Sequence, residues 1–106
     1  MAADNRRRGG LSATLRNLIA KSESDHRPHE IRLERGLLVG IHVRDANQVQ
    51  LLLSRPGIYP SRQEWNICCR SLPEHYRPLP ETMPSEYMHE GRHWLSATWP
   101  IQSRML

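Results

Sequence analysis

The segment from Ser61 to Leu72 constrains the fold most, because it has the pattern of a capped amphipathic helix. Ser61 and Glu64 have capping-box spacing, in which the serine side chain bonds the backbone N–H of the glutamate and the glutamate side chain bonds that of the serine. The apolar residues then recur at helical intervals, as Trp65, Cys68, Cys69 and Leu72. This pattern predicts a helix with one buried face.

The only two cysteines of the chain, Cys68 and Cys69, fall on the buried side of this predicted helix. Adjacent helical cysteines cannot readily close a strain-free disulfide with each other, so we expect no disulfide framework, which fits a reducing compartment. A thiol becomes a nucleophile where its surroundings lower its pKa, and both residues lie too far into the helix for the helix N-terminus to do so. We therefore predict that the two cysteines are packing residues.

Apolar and polar residues alternate with period two between residues 31 and 53, which is typical of strands with one buried face. The apolar positions are Ile31, Leu33, Leu37, Val39, Ile41, Val43, Val49, Leu51 and Leu53. Gly36 marks either a tight turn between two strands, which we favour, or a bulge in one long strand. Turn residues follow at 45–47, so the pattern predicts a three-stranded antiparallel meander in which 37–44 pairs with 48–54.

The remaining segments complete an α+β prediction. Leucines and an isoleucine on one helical face predict a short helix over 12–22, with Ser12 as its N-cap. Four prolines in 73–84 predict an extended segment that crosses the surface. Alternation on both sides of Glu90-Gly91 predicts a C-terminal hairpin, which Pro100 ends.

We therefore predict a small single α+β domain over residues 11–106, in which an antiparallel sheet, the meander plus the hairpin, packs with two short helices. Residues 1–10 are predicted to be a basic flexible arm. A chain of 106 residues has room for one modest core. The sequence has no apolar stretch of the roughly 18 residues that a membrane span needs, and no hydrophobic region follows its basic start. A cytoplasmic protein without a membrane partner is expected.

Charge favours nucleic acid as the leading partner. The net charge is +4, and Lys21 is the only lysine among fifteen basic residues. Guanidinium groups suit phosphate binding because they are planar and bidentate, although a GC-rich genome would produce the same arginine excess. The candidate nucleic-acid-binding residues are Arg6, Arg7, Arg8, Arg16, Arg32, Arg44 and Trp94.

These candidates would act in two ways. The arginine run of the arm would neutralise phosphates or enter a minor groove, and the even-numbered strand residues Arg32, His42 and Arg44 would lie on the face opposite the apolar one. An exposed Trp94 would stack on a base, and its truncation would weaken binding by about 1–3 kcal/mol. The competing interpretation, which we favour from sequence alone, places both Trp94 and Trp99 in the core of a protein without phenylalanine.

A protein partner or homo-oligomer is the alternative. The segment around Tyr76, Pro78 and Pro80 is extended and low in conformational entropy, as a partner groove requires. The chain ends in Met105 and Leu106, two apolar residues whose exposure to water is unfavourable, which suggests that they dock on a protein surface. The candidate partner-binding residues are Tyr76, Pro78, Pro80, Met105 and Leu106.

An enzyme is the least favoured class. Six histidines and two cysteines offer nominal zinc ligands, but structural zinc sites have paired ligands in two knuckles, and the adjacent cysteines belong inside a helix. No phosphate-binding glycine loop, nucleophile elbow or dinucleotide fingerprint is present. We therefore predict a non-enzymatic binding protein with no catalytic residue, metal or cofactor, and keep a small metal-dependent hydrolase as a second alternative.

Overall fold

The computed structural model describes residues 2–45 and 47–102, with side chains from residue 10 onward. One-turn 3-10 helices lie at Glu34–Gly36 and Glu74–Tyr76. The α-helices and strands are α1 (Ala2–Asp25), β1 (His29–Arg32), β2 (Leu38–Arg44), β3 (Gln48–Pro56), α2 (Arg62–Ser71), β4 (Ser85–His89) and β5 (Arg92–Pro100).

The strands form one antiparallel sheet in the order β1-β2-β3-β5-β4. The first three strands are the predicted meander, and β2 pairs with β3 as expected, with Leu38 opposite Ser54. The C-terminal hairpin of β4 and β5 joins this sheet because β5 lies along β3, with Ser54 opposite Trp94. The α+β prediction is therefore confirmed, and its two strand groups form a single five-stranded sheet.

The core lies on one face of the sheet, where both helices pack. The odd-numbered residues of β2, β3 and β5 point to this face, and the apolar residues of α1 and α2 cover them. The buried apolar residues are Leu15, Leu18, Ile19, Leu37, Val39, Ile41, Val43, Val49, Leu51, Leu53, Trp65, Cys68, Cys69, Leu72, Leu95 and Trp99.

The capped helix is confirmed as α2. The Ser61 hydroxyl accepts a hydrogen bond from the Glu64 backbone N–H at 3.0 Å, and the Glu64 carboxylate accepts one from the Ser61 backbone N–H at 2.8 Å. Trp65 and Cys68 are buried, with 1% and 2% of their surface exposed. The predicted buried face therefore packs on the sheet.

The first helix is longer than predicted. The spacing placed its start at Ser12, whereas α1 runs from Ala2 to Asp25 and breaks at Gly10, which has φ 53° and ψ −137°. Glycine reaches this positive φ without the penalty that a Cβ would add. The side chains of Arg6, Arg7 and Arg8 lie outside the described part of the chain, so the flexible arm stays a prediction.

A left-handed turn separates β1 from β2. Arg35 has φ 58° and Gly36 has φ 74°, a combination that reverses the chain and ends the strand. The meander therefore starts with two strands, as favoured from the sequence, rather than with one bulged strand.

The proline-rich segment 73–84 crosses the helical side of the domain, and its first part is anchored there. The Tyr76 hydroxyl donates a hydrogen bond to Glu23 of α1, and the Tyr76 carbonyl accepts one from the Trp99 indole N–H at 2.7 Å. The backbone N–H of Gln102 bonds the His75 carbonyl at 2.8 Å. Among the described helices, none is both long and apolar enough to cross a bilayer.

Candidate nucleic-acid interface

The face of the sheet opposite the helices is left open by the described part of the chain. It carries the even-numbered residues of β1, β2, β3 and β5 and the odd-numbered residues of β4, because residues paired directly across strands point the same way. We call this surface the open face. Its acidic and basic residues within the strands are Glu30, Arg32, His42, Arg44, His89 and Arg92. Cations therefore outnumber carboxylates on it.

One row of cross-strand partners runs the full width of the open face. The row consists of Arg32, Leu38, Ser54, Trp94 and Tyr87, one residue from each strand. Neighbouring strands lie about 4.8 Å apart, so the backbones of the first and fourth residues of the row are about 14 Å apart. An exposed guanidinium and two aromatic rings therefore share one line on one surface.

The rings of Tyr87 and Trp94 lie parallel on this face, with centroids 6.3 Å apart and planes within 5°. The Trp94 indole N–H donates to the His89 carbonyl at 3.1 Å, which fixes the ring to the β4–β5 hairpin. Trp94 is half-buried, and Tyr87 is 38% exposed. The favoured expectation that both Trp94 and Trp99 belong to the core is wrong for Trp94, because the β3–β5 register turns Trp94 outward and Trp99 inward.

Arg92 is a further cation on the open face, which the sequence reading missed. Its Nε donates to the Ser54 hydroxyl at 2.9 Å, and its Nη2 donates to the Gly36 carbonyl at 2.9 Å. The sequence does contain a pattern that indicates this position, because Arg92 precedes Trp94 by two residues and strand alternation places both on one face. These bonds hold its guanidinium at the end of the sheet that carries the aromatic pair.

The candidate arginines divide between the two sides of the molecule. Arg32 and Arg44 are exposed on the open face, and neither side chain bonds another described residue. Arg16 is also exposed, but it lies on α1, which packs against the other face. The structure therefore brings Arg32, Arg44 and Trp94 to one surface and leaves Arg16 apart.

The cysteines lie away from this surface, under α2. Burial raises the pKa of the Cys68 thiol to about 12 and that of the Cys69 thiol to about 11. Both are free thiols. Among the described side chains, from residue 10 to residue 102 without residue 46, no three of His, Cys, Asp or Glu are grouped so that they could hold a metal ion.

The candidate partner-binding residues also lie apart from the open face. Tyr76 is half-buried against the core, and Pro78 and Pro80 line a groove beside α2. Met105 and Leu106 lie outside the described residues. Just before them, Ile101 packs on the core, and its N–H bonds the Asn47 carbonyl at 2.7 Å, so the described start of the C-terminal tail docks on its own domain.

Comparisons of the chain with protein-family models, with curated proteins and with solved structures gave no match.

Proposed function

We propose that the protein binds single-stranded nucleic acid on the open face of its sheet, as a small non-enzymatic accessory protein. The observation that carries this proposal is the parallel Tyr87–Trp94 pair in the same cross-strand row as Arg32. Single-strand binders combine aromatic rings, on which bases stack, with cations that follow the phosphate backbone. The open face offers both groups on a rigid sheet.

The dimensions of the face suit a short stretch of single strand. Arg44 lies six residues along β2 from Leu38, which corresponds to about 20 Å along the strand. Arg32 therefore lies in the same row as the aromatic pair, and Arg44 lies near the other end of the strands. A single strand stacked on the aromatic pair could reach Arg32 by crossing the sheet along this row, and a longer strand could turn along the sheet to Arg44. The predicted arm with Arg6, Arg7 and Arg8 would add sequence-independent affinity through further phosphates.

A matched pair of double variants tests this placement. Arg32→Ala with Arg44→Ala removes two charges from the open face, and Arg16→Ala with Arg62→Ala removes two charges from the helices. Both proteins have the same net charge. Binding of a fluorescein-labelled poly-dT oligonucleotide is followed by anisotropy between about 50 and 200 mM salt.

We expect the open-face variant to bind more weakly and to lower the slope of log affinity against log salt by about 0.7 for each lost phosphate contact. The helix-side variant should keep the wild-type slope. Equal slopes for the two variants would show that binding reflects net charge alone. Undetectable binding at low salt would refute the proposal.

The alternative of a protein partner or homo-oligomer has one specific observation in its favour. Strand β4 forms an edge of the sheet, and all five of its residues are exposed, including Met88 at 62%. Unpaired edge strands can accept a strand from another chain. Light scattering at rising concentration tests self-association: a mass increase that Met88→Lys abolishes would favour this alternative, and a constant monomer mass would count against a homo-oligomer.

A further inference from the structure

A groove of about 390 Å³ lies between α2 and the proline-rich segment. Its floor is formed by Trp65 and Cys69 of α2, and its outer wall includes Pro78, Leu79 and Pro80. The floor residues are nearly inaccessible, whereas Leu79 is 58% exposed. The groove is therefore an apolar cleft open at the surface, with a volume in the range of small-molecule sites.

Two arginines line the same groove, and no carboxylate does. The Arg70 side chain makes no hydrogen bond or ion pair with any described residue. Its charge opposes the rise in the pKa of the neighbouring Cys69 thiol that burial causes. Arg77 donates through Nε to the Leu72 carbonyl at 2.8 Å, and its two terminal nitrogens bond no described residue. The groove thus combines an apolar floor with two cations that have no anionic partner.

We propose that this groove binds a small apolar anion, meaning a molecule with a hydrocarbon or aromatic body and one carboxylate or sulfonate group. The body would displace water from the surface over Trp65 and Cys69. The anionic group would accept charge-assisted hydrogen bonds from Arg70 and from the terminal nitrogens of Arg77. The fixed Nε bond of Arg77 holds its guanidinium in place before the ligand arrives, which lowers the entropy cost of binding.

This site is separate from the proposed nucleic-acid interface. The groove lies beside α2 on the helical side of the sheet, and the open face is on the other side. The two proposals can therefore fail independently. An oligonucleotide on the open face should not displace a ligand from the groove.

Two fluorescent probes of similar shape and different charge test the proposal. 1-Anilinonaphthalene-8-sulfonate carries one anionic group, and N-phenyl-1-naphthylamine is its neutral counterpart. Each is titrated into the full chain, with decanoate as a non-fluorescent competitor. We expect the sulfonate to bind more tightly than the neutral probe by about fivefold, because two exposed ion pairs, with Arg70 and Arg77, each add a modest gain. Decanoate should displace it.

Three variants locate the binding. Arg70→Gln should weaken the sulfonate about twofold, because Arg77 remains, and should leave the neutral probe unchanged. Asn66→Trp, at an exposed position of the groove wall, should fill the cleft and reduce the binding of both probes. Arg16→Gln on α1 removes the same charge elsewhere and should change neither. Cooperative unfolding in denaturant should show that every variant is folded.

The outcomes are distinct. A sulfonate selectivity that falls in Arg70→Gln, with weaker binding of both probes in Asn66→Trp, would establish the site. Equal affinity for the two probes, or unchanged sulfonate binding in a folded Asn66→Trp protein, would overturn the proposal. The absence of binding by either probe to the wild-type protein would do the same.

Discussion

Trp65 of α2 and Trp99 of β5 meet edge to face, with ring centroids 6.3 Å apart and planes at 86°. Aromatic pairs prefer this geometry because the positive edge of one ring faces the negative surface of the other. The Trp99 indole N–H also bonds the Tyr76 carbonyl. One aromatic contact thus joins the capped helix, the C-terminal hairpin and the proline-rich segment.

Trp65→Ala should therefore be among the most destabilising single changes. Removing a buried tryptophan costs about 3–5 kcal/mol, through lost burial and the cavity that remains. Trp94→Ala is the matched control, since it removes the same side chain from a half-buried position on the open face. Denaturant unfolding measures both. Equal losses of stability in the two variants would contradict the described core.

The Ser22 side chain of α1 bonds a backbone group at an edge of the sheet. β1 begins at His29, opposite Ile41, so the backbone of Val43 lies beyond the start of β1 and has no strand partner on that side. The buried Ser22 hydroxyl accepts the Val43 N–H at 2.7 Å and donates to the Arg27 carbonyl at 2.6 Å. Ser22→Ala should cost about 1–3 kcal/mol, because it leaves the buried Val43 N–H without a hydrogen-bond partner.

Ser24 provides the control for this prediction, since it is an exposed serine on the same helix. Ser24→Ala should change the free energy of unfolding by less than about 0.5 kcal/mol. A Ser22→Ala protein as stable as the Ser24→Ala protein would show that the helix does not bond the sheet edge in this way.

Arg55 and Glu64 form a bidentate ion pair, with nitrogen–oxygen distances of 2.8 and 2.6 Å. The Arg55 hydrogen bonds, with help from the Ser61 backbone, lower the pKa of Glu64 from 4.5 to about 2. The Glu64 carboxyl group therefore binds a proton less readily in the folded protein than in the unfolded protein. The resulting stability is fully present above about pH 4.5 and is lost as the pH falls towards 2.

Glu64→Gln separates this ion pair from the helix cap, because glutamine can still serve in a capping box. The variant should be less stable than the wild type by about 1–2 kcal/mol near neutral pH, and this difference should shrink as the pH falls below about 4.5. Unfolding is measured in urea at a series of pH values. A difference that stays constant down to pH 2 would contradict the ion-pair explanation.

The two thiols should react slowly in the folded protein. Burial raises their pKa values to about 12 and 11, so at pH 8 almost no thiolate is present, and both residues are buried. Reaction with Ellman's reagent should accelerate strongly when denaturant is added. Immediate reaction of both thiols under native conditions would show that α2 does not pack as described.

Local patterns predicted much of this fold because the physics of those segments is local. The capping box at Ser61 and the period-two residues on either side of Gly36 each depend on neighbours within a few positions. The longer α1 was missed because residues 2–9 have no apolar periodicity to mark a helix. Gly10, the observed break, was assigned to the arm.

The candidate sites required the long-range pairing of strands and segments. Alternation places Trp94 and Trp99 on opposite faces, but only the pairing of β5 with β3 decides which of them is buried. Likewise, Arg70 and Arg77 share a groove because the proline-rich segment passes α2, a contact that sequence spacing does not encode. The aromatic pair and the groove therefore emerged only from the structure.

Trp94 fluorescence provides the most direct test of the central claim, that single-stranded nucleic acid stacks on the open face. Trp65 and Trp99 are buried, so Trp94 is the tryptophan that a ligand on this face would contact. Addition of poly-dT at low salt should quench wild-type tryptophan emission, and Trp94→Tyr should bind with little quenching. No quenching of the wild type, or the same quenching in Trp94→Tyr, would contradict the account.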